Sequence, residues 1–377
     1  MRIGFFLRKR LNQMHETARR IFYLLDYLSW QLLSLSKFKK VPANPEKVLI
    51  INSGALGDIF TSFRIIRDLK KNYPSIEFYL YVTEEFRKSI KFAENPLKIK
   101  ILAKEDMQNY DFDITLFFSL IRKFRKYKNL GVCIGNEYSS IKESLSNLFS
   151  LFLNKKAFPR HIHKLKQEIE ICRLAGLKIN NQLDIKEKFN NPKIKSFLLK
   201  SRIKKFIIIH SSGRNFSTLI KAGKIPAYSW PLKRFSDIAE FIIQEYHLPI
   251  IFTGSSDERF INEEIIKNIK HKNKVVNLAG KLSVEEMLSL SSLSKMMLSI
   301  DTSAVHIAEF AGTPVITLNG PGFPEITGAY GKNSINLFHK GLCVKCRKKG
   351  ECPEKNNICM KSITVEEVKK AIDKILK

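Results

Sequence analysis

The feature that most constrains the fold is an alternation of short apolar runs with segments of helical periodicity, which occurs twice in 377 residues. We read strands in the apolar runs at 47–52, 76–82, 113–118, 129–135, 206–210, 248–254, 274–280, 295–301 and 313–320. We predict helices over 59–72, around 84–90, near 233–246, near 257–270 and over 283–293. This rhythm is typical of parallel sheets with crossover helices. The sequence therefore predicts two doubly wound, Rossmann-like α/β domains whose strand ends face each other across a cleft.

The length of the chain also favours two domains, because a single hydrophobic core seldom grows beyond about 250–300 residues. We predict a basic, amphipathic N-terminal extension over residues 1–45, a first domain over 46–200 and a second domain over 201–377. The polar, basic stretch at 186–205 is the predicted linker between the two domains.

The predicted extension holds nine basic residues and two acidic residues within positions 1–40, around an apolar segment rich in Leu, Tyr and Trp. Asp26 interrupts this segment, which is too short for a membrane span of about 20 apolar residues. An amphipathic helix lying on an anionic membrane surface fits the pattern. The alternative is a helix that packs on the protein's own core or on a partner subunit.

A formal net charge of +29 indicates a negatively charged partner, which is a nucleic acid, an anionic lipid or a phosphorylated substrate. The alternative source of the charge is a lysine-rich surface encoded by an AT-rich genome. Six cysteines do not form the dense disulfide framework of a small secreted domain, and the first residues do not resemble a secretory signal. We therefore expect a cytoplasmic protein.

The first motif is INSGALGDIF at 51–60, directly after an apolar run. Gly54 and Gly57 allow a tight turn and a close approach of the backbone, and Asp58 would lie at the open end of the strand. The competing interpretation is that Asp58 is the N-cap of a helix that begins at Ile59.

The second motif occupies residues 299–331, where a strand ends at Asp301 and His306 lies in the first turns of the next helix. A helix start presents backbone N–H groups and a positive dipole end to an anion. Taken alone, His306 is also compatible with a satisfied core histidine.

In combination, SGALGD and DTSAVHIAEFAGTPVITLNGPGFP resemble glycosyltransferase family 9, the ADP-heptose:lipopolysaccharide heptosyltransferases. The resemblance covers residues 47 to about 372. It implies a GT-B fold in which the first domain holds mainly the acceptor and the second holds the nucleotide-sugar. It also implies an inverting transfer with ADP-heptose as donor, no cofactor and no essential metal.

The resemblance also implies roles for individual residues. Asp58 corresponds to the catalytic base, in a loop where Gly54 and Gly57 face the acceptor. The residues that correspond to the family's phosphate-binding positions are Ser211, Ser212, Asp301, Thr302, Ser303 and His306. Glu258 corresponds to a glutamate on the nucleotide ribose.

Two positions depart from the family pattern. Tyr228 stands where the family usually has a lysine for the diphosphate, and Ser303 stands where glycine is common. We expect Lys224 to supply the missing positive charge, with Lys221 and Arg214 as the alternatives.

A third cluster contains four cysteines, Cys343, Cys346, Cys352 and Cys359. Such a set is compatible with a structural zinc site, with reduced thiols or with disulfides. The expected activity requires none of these.

The leading functional hypothesis is transfer of a heptose, or a related sugar, to an anionic lipopolysaccharide-type acceptor at the inner face of the cytoplasmic membrane. The alternatives are a family member with another nucleotide-sugar for another surface glycan, a nucleic-acid-binding protein and a membrane scaffold. A nucleic-acid groove requires basic residues interleaved with aromatic ones, and only residues 121–130 approach that pattern. We therefore expect no nucleic-acid partner.

Overall fold

The computed structural model describes residues 40–119, 127, 129–136, 155–157, 163–180, 189–339, 350–352 and 356–377. Most of the predicted N-terminal extension lies outside these residues, as do most of the segment 121–130, Cys343 and Cys346.

By their contacts, the described residues form two units. The first contains residues up to Ser53 together with 69–83 and 98–179. The second contains residues 54–68, 84–97 and those from Asn180 onward. The linear domain boundaries that we predict from the sequence stay predictions.

A sheet of six parallel strands forms the centre of the first unit, in the order β3-β2-β1-β4-β5-β6. Its strands are β1 (Lys47–Ile51), β2 (Glu77–Tyr81), β3 (Ile99–Leu102), β4 (Ile114–Phe117), β5 (Val132–Asn136) and β6 (Lys155–Ala157). Residues 48–51 of β1 are fully buried, as expected of a central parallel strand whose two faces are both covered. The strand order is that of a Rossmann sheet.

Four helices belong to this half of the chain, three between its strands and one after β6: α1 (Leu56–Asn72), α2 (Glu84–Ile90), α3 (Glu94–Leu97) and α4 (Lys164–Leu174). Helix α1 begins three residues before the predicted start at Ile59. The reason is local, because a carboxylate oxygen of Asp58 accepts the Ala55 N–H at 2.9 Å and satisfies a donor at the helix start. Asp58 therefore lies within the first turn of α1 and does not occupy the N-cap position.

A second sheet of six parallel strands forms the centre of the second unit, in the order β12-β11-β10-β7-β8-β9. Its strands are β7 (Ile207–His210), β8 (Ile250–Phe252), β9 (Val275–Asn277), β10 (Met297–Ile300), β11 (Val315–Leu318) and β12 (Ile335–Leu337). Read from β7, the order repeats that of the first sheet.

Nine further helices, all in the second unit, complete the described part of the chain. They are α5 (Pro192–Lys200), α6 (Phe216–Lys221), α7 (Leu232–Tyr246), α8 (Arg259–Lys267), α9 (Val284–Leu293), α10 (Ser303–Phe310), α11 (Pro324–Thr327), α12 (Ile358–Lys361) and α13 (Val365–Leu376). Helix α5 lies within the stretch that we predict as the linker.

The core of the second unit extends to the last helices of the chain. Trp230 is fully buried, meets Phe235 edge to face at 4.9 Å between ring centroids, and donates its indole N–H to the carbonyl of Ile363 at 2.9 Å. Met360 and Val368 belong to the same buried cluster. The C-terminal segment is therefore part of this core and not a surface addition.

The amino-terminal half of α1 also packs in the second unit. Phe310 of α10 lies 5.6 Å from the ring of Phe60 and 5.7 Å from that of Phe63, measured between centroids. Phe189 stacks on the same Phe310 ring at 5.4 Å. These contacts join the start of α1 to α10.

The predicted α/β class and its alternation of strands and helices are confirmed. The sequence analysis missed the short strands β3, β6 and β12 and the helices α3, α4, α5, α6, α11, α12 and α13. In the described part of the chain, each helix is too short or too polar to cross a membrane.

Candidate functional site

Strand order creates the opening for the site in the second unit. β7 and β10 are neighbours, but the chain continues from β7 towards β8 on one side and from β10 towards β11 on the other. The connections that leave the carboxyl ends of β7 and β10 therefore diverge. Ligands of doubly wound sheets bind in the crevice at such a switch point.

A cavity of about 640 Å³ lies at this position, and all of its walls belong to the second unit. Its lining comes from the loop before α1, the segment after β7, the residue Tyr228, the turn after β8 and the segment after β10. The residues are Ala55, Leu56, His210, Gly213, Arg214, Asn215, Phe216, Tyr228, Ser255, Asp257, Glu258, Ile300, Asp301, Thr302 and Ser303.

The segment after β10 brings together three of the predicted phosphate-binding residues. Thr302 occupies the N-cap position of α10, and its side chain makes no capping hydrogen bond there. Ser303 is the first residue of the helix. Thr302 therefore does not cap the first N–H groups of α10, and a helix start at the wall of a cavity is an arrangement that suits an anion.

Asp301 is half-buried and faces the loop that follows β11. A Cβ atom at Gly322 would lie 2.8 Å from a carboxylate oxygen of Asp301 and 3.7 Å from the ring of Tyr228. A side chain at position 322 would require the carboxylate of Asp301 to move, whereas the distance to Tyr228 is an ordinary van der Waals contact. The negative charge of Asp301 is unsuited to direct contact with a phosphate.

His306 lies on α10 against the glycine of the first motif. A Cβ atom at Gly57 would lie 2.7 Å from Cδ2 of His306 and 3.3 Å from the Cα of Ser303. Gly57 therefore approaches His306, which does not line the cavity, and the predicted approach of Gly57 to a ligand stays a prediction. Gly54 is half-buried in the loop between β1 and α1, and Asp58 is half-buried next to the cavity residues Ala55 and Leu56.

Ser211 and Ser212 are buried beneath the surface and do not line the cavity. The hydroxyl of Ser211 donates to the side-chain oxygen of Asn262 at 2.8 Å. The hydroxyl of Ser212 has no hydrogen-bond partner among the described residues. The prediction that these two hydroxyls bind phosphate stays a prediction.

His210 and Glu258 form a titratable pair at the cavity wall. Desolvation by the surrounding protein lowers the pKa of His210, and the negative charge of Glu258 acts in the opposite direction. Nδ1 of His210 lies 3.0 Å from the hydroxyl of Thr253. Glu258 lines the cavity, and one of its oxygens accepts the Ser255 N–H at 2.8 Å.

Of the three cations considered for the missing family lysine, Arg214 is the one that lines the cavity. Its guanidinium is largely exposed and lies 3.5 Å from a carboxylate oxygen of Glu85. Lys224 instead forms an ion pair with Glu351 at 2.8 Å and is not part of the lining.

Cys352 and Cys359 are buried, and Cys359 belongs to the core of the second unit. No group of three or more His, Cys, Asp or Glu side chains that could hold a metal ion occurs within the described residues, which exclude Cys343 and Cys346. The zinc hypothesis for the four cysteines stays a prediction.

Sequence reasoning missed His210, Asn215 and Phe216 as cavity residues. For His210 a signal existed, because it is a polar residue that ends an apolar strand of a predicted parallel sheet. The carboxyl end of such a strand faces the ligand crevice when the strand borders the switch point. The sequence does not reveal which strands are neighbours, and so the sequence alone does not place His210 at the cavity.

Comparisons with known proteins agree on one family. The family model of glycosyltransferase family 9 (heptosyltransferase) matches residues 129–357. Lipopolysaccharide heptosyltransferase 1 of Campylobacter coli is 22% identical over 365 residues, which cover 87% of this chain and 98% of that protein. Alignments to several other curated heptosyltransferases are shorter and span 30–44% of those relatives.

Two solved structures share the fold. The glycosyl transferase family 9 protein of Veillonella parvula superposes with a TM-score of 0.70 and 16% identity, over 90% of this chain and 99% of that one. The ADP-heptose LPS heptosyltransferase II of Escherichia coli superposes with a TM-score of 0.66 and 16% identity, over 88% and 98% of the two chains. At this identity the likeness concerns the fold.

We expect the ring of His210 to titrate below its ordinary pKa of about 6.5. NMR titration of the protein labelled in its histidines measures this, and a His210→Gln variant assigns the signal. Glu258→Gln should lower the midpoint further, because it removes the charge that favours the imidazolium. The contribution of neutral His210 is complete above about pH 6.5 and is lost as the pH falls below that value. A midpoint above 6.5 would contradict this description of the site.

Proposed function

Because this chain belongs to glycosyltransferase family 9, the heptosyltransferases, we propose that it transfers a heptose, or a related sugar, from a nucleoside diphosphate to a lipopolysaccharide-type acceptor. The family assignment and the GT-B fold, both expected from the sequence, are confirmed. The observation that carries the proposal is the cavity at the switch point of the second sheet, beside the amino end of α10.

ADP-heptose is the donor that we propose. The Escherichia coli structure is that of an ADP-heptose LPS heptosyltransferase, and the cavity here has the elements that a nucleoside diphosphate needs. The first N–H groups of α10 would donate hydrogen bonds to the diphosphate oxygens, and the carboxylate of Glu258 would accept hydrogen bonds from the ribose hydroxyls. Asp301 would act through the shape of the loop that contains Gly322.

Asp58 is the proposed general base. It would take the proton of the acceptor hydroxyl while that oxygen forms a bond to the anomeric carbon and the nucleoside diphosphate leaves with the electrons of the broken C–O bond. Attack on the face opposite to the leaving group inverts the anomeric carbon. The hydrogen bond from the Ala55 N–H fixes the orientation of the carboxylate next to the cavity wall. The proposal assigns no step to a metal ion, and metal independence stays a prediction.

Asp58→Asn tests this role. The amide oxygen still accepts the Ala55 N–H, so the start of α1 is preserved while the base is lost. General-base catalysis supplies about 10²–10⁴-fold in rate, and we expect a loss of that order in kcat with an almost unchanged Kd for ADP. The exposed Asp111, changed to Asn, is the control for loss of one carboxylate. Near-normal turnover of Asp58→Asn would show that Asp58 is not the general base and only stabilises the start of α1.

Arg214 is the proposed cation for the diphosphate, and Lys224 is its matched control. Arg214→Gln should weaken ADP binding about threefold to tenfold, a modest effect because the guanidinium is exposed. Lys224→Gln should change it less than twofold, since Lys224 is paired with Glu351 outside the cavity. Isothermal titration of both variants with ADP measures which of the two cations contributes to binding. A larger effect at Lys224 would restore the assignment made from the sequence.

A second candidate function keeps the family chemistry but changes the donor. Tyr228 lines the cavity where the family usually has a lysine, and Ser303 adds a side chain where glycine is common. Titration of the wild-type protein with ADP, UDP and GDP separates the two candidates. Tighter binding of UDP or GDP than of ADP would favour the second.

The acceptor and the place of action are also proposals. A net charge of +29 favours an anionic acceptor and an anionic surface, and we propose that residues 1–40 attach the protein to the inner face of the cytoplasmic membrane. Each basic residue near such a surface contributes on the order of 1 kcal/mol, and salt screens that attraction.

We therefore expect the intact chain to sediment with anionic vesicles at low salt and to be released at high salt. A chain without residues 1–40 should remain in the supernatant, folded and active. Neutral vesicles are the control for apolar insertion. If both forms stay in solution and the shorter one aggregates, the segment belongs to the protein's own core or to a subunit contact.

A further inference from the structure

Glu309 is a buried carboxylate on α10 whose two oxygens face two different groups of partners. Oε1 accepts the N–H of Tyr330 at 2.6 Å, the N–H of Gly331, and the hydroxyl of Ser334 at 3.4 Å. Oε2 lies 3.6 Å from Nη1 of Arg64 on α1 and 3.6 Å from Nδ1 of His306. All of these residues belong to the second unit.

The charge of Glu309 follows from these partners. Burial by itself would raise the pKa of this carboxyl, since only 1% of its side chain is exposed. The interaction with His306 and the charge of Arg64 outweigh burial, with the Gly331 N–H adding to them, and the net pKa is lowered. Glu309 is therefore a buried anion at neutral pH. Such an anion holds donors more strongly than a neutral acceptor does.

The ring of His306 lies between two groups. Nδ1 faces Oε2 of Glu309 at 3.6 Å, and the Cδ2 edge is packed against the backbone of Gly57. This distance is longer than a hydrogen bond, but a carboxylate without a proton can only accept, so Glu309 favours the hydrogen on Nδ1 of His306. In the neutral ring, Nε2 is then the nitrogen that holds a lone pair.

We propose that Glu309 is a positioning residue for donor binding, which fixes the orientation and tautomer of His306 and holds the loop of Tyr330 and Gly331 beside α10. This inference rests on the proposed function, because it assumes that the amino end of α10 receives the nucleoside diphosphate. Glu309 acts through His306 and the loop, and it has no contact with the donor in this scheme.

Glu309→Gln gives a sharp test because the amide keeps the shape of the side chain. Its oxygen still accepts the loop N–H groups, whereas its NH2 group now points at Nδ1 of His306. An NH2 group only donates, so it favours Nδ1 as an acceptor and the proton on Nε2. Imidazole ¹⁵N shifts at pH about 9, where an ordinary histidine is neutral, report this change directly.

The matched control is Glu286→Gln, which removes another buried carboxylate of the second unit. Glu286 lies on α9, forms an ion pair with Lys193 at 2.7 Å and does not line the cavity. We expect Glu309→Gln to move His306 to the Nε2–H form and to weaken ADP binding about tenfold. Glu286→Gln should leave the tautomer unchanged and the Kd for ADP within about twofold. In a His306→Ala background, Glu309→Gln should have a much smaller effect on ADP binding than it has alone.

Several results would overturn the inference. One is an Nε2–H tautomer of His306 in the wild-type protein, a measurement that needs no variant to fold. Another is an unchanged Kd for ADP in folded Glu309→Gln, and a third is full additivity with His306→Ala. If the wild type binds none of ADP, UDP and GDP, the proposed donor is wrong, and the positioning role of Glu309, which depends on that donor, is wrong as well. That failure is distinguishable, because it appears in the wild type before any substitution is made.

Discussion

The order of the strands in the second sheet is the constraint on which the site depends. β7 and β10 are adjacent although their last residues, His210 and Ile300, are 90 positions apart in the chain. Their neighbourhood places a histidine, an aspartate and the start of α10 around one cavity. Side-chain hydrogen bonds then refine the arrangement, but none of them would bring these segments together without the sheet.

A second constraint is the absence of side chains at two glycines. Gly57 lets the start of α1 approach His306, and Gly322 lets the loop after β11 approach Asp301. In both places a Cβ atom would lie under 3 Å from a side chain of the candidate site. The two glycines therefore allow close contacts within the protein itself.

The sequence was sufficient for the α/β class, for most strands and for the residues at the start of α10, because long apolar runs and turn residues carry local information. Some short strands were not predicted because they lack such runs. β6 has three residues, and the side chain of Lys100 in β3 is 59% exposed. Arg214 and Lys224 could not be separated, since the ion pair with Glu351 depends on a contact between distant segments. Glu309 looked like an ordinary helix residue, because its partners Arg64 and Tyr330 are far away in the chain.

The packing of Phe60 and Phe63 on Phe310 has a consequence for synthesis on the ribosome. These two side chains leave the exit tunnel roughly 250 residues before their partner, which at about 5–20 residues per second is a delay on the order of ten to fifty seconds. The buried cluster around Trp230 is completed later still, when residues 359–372 have been added. Until Phe310 has been synthesised, Phe60 and Phe63 therefore lack the ring that packs on them in the folded protein.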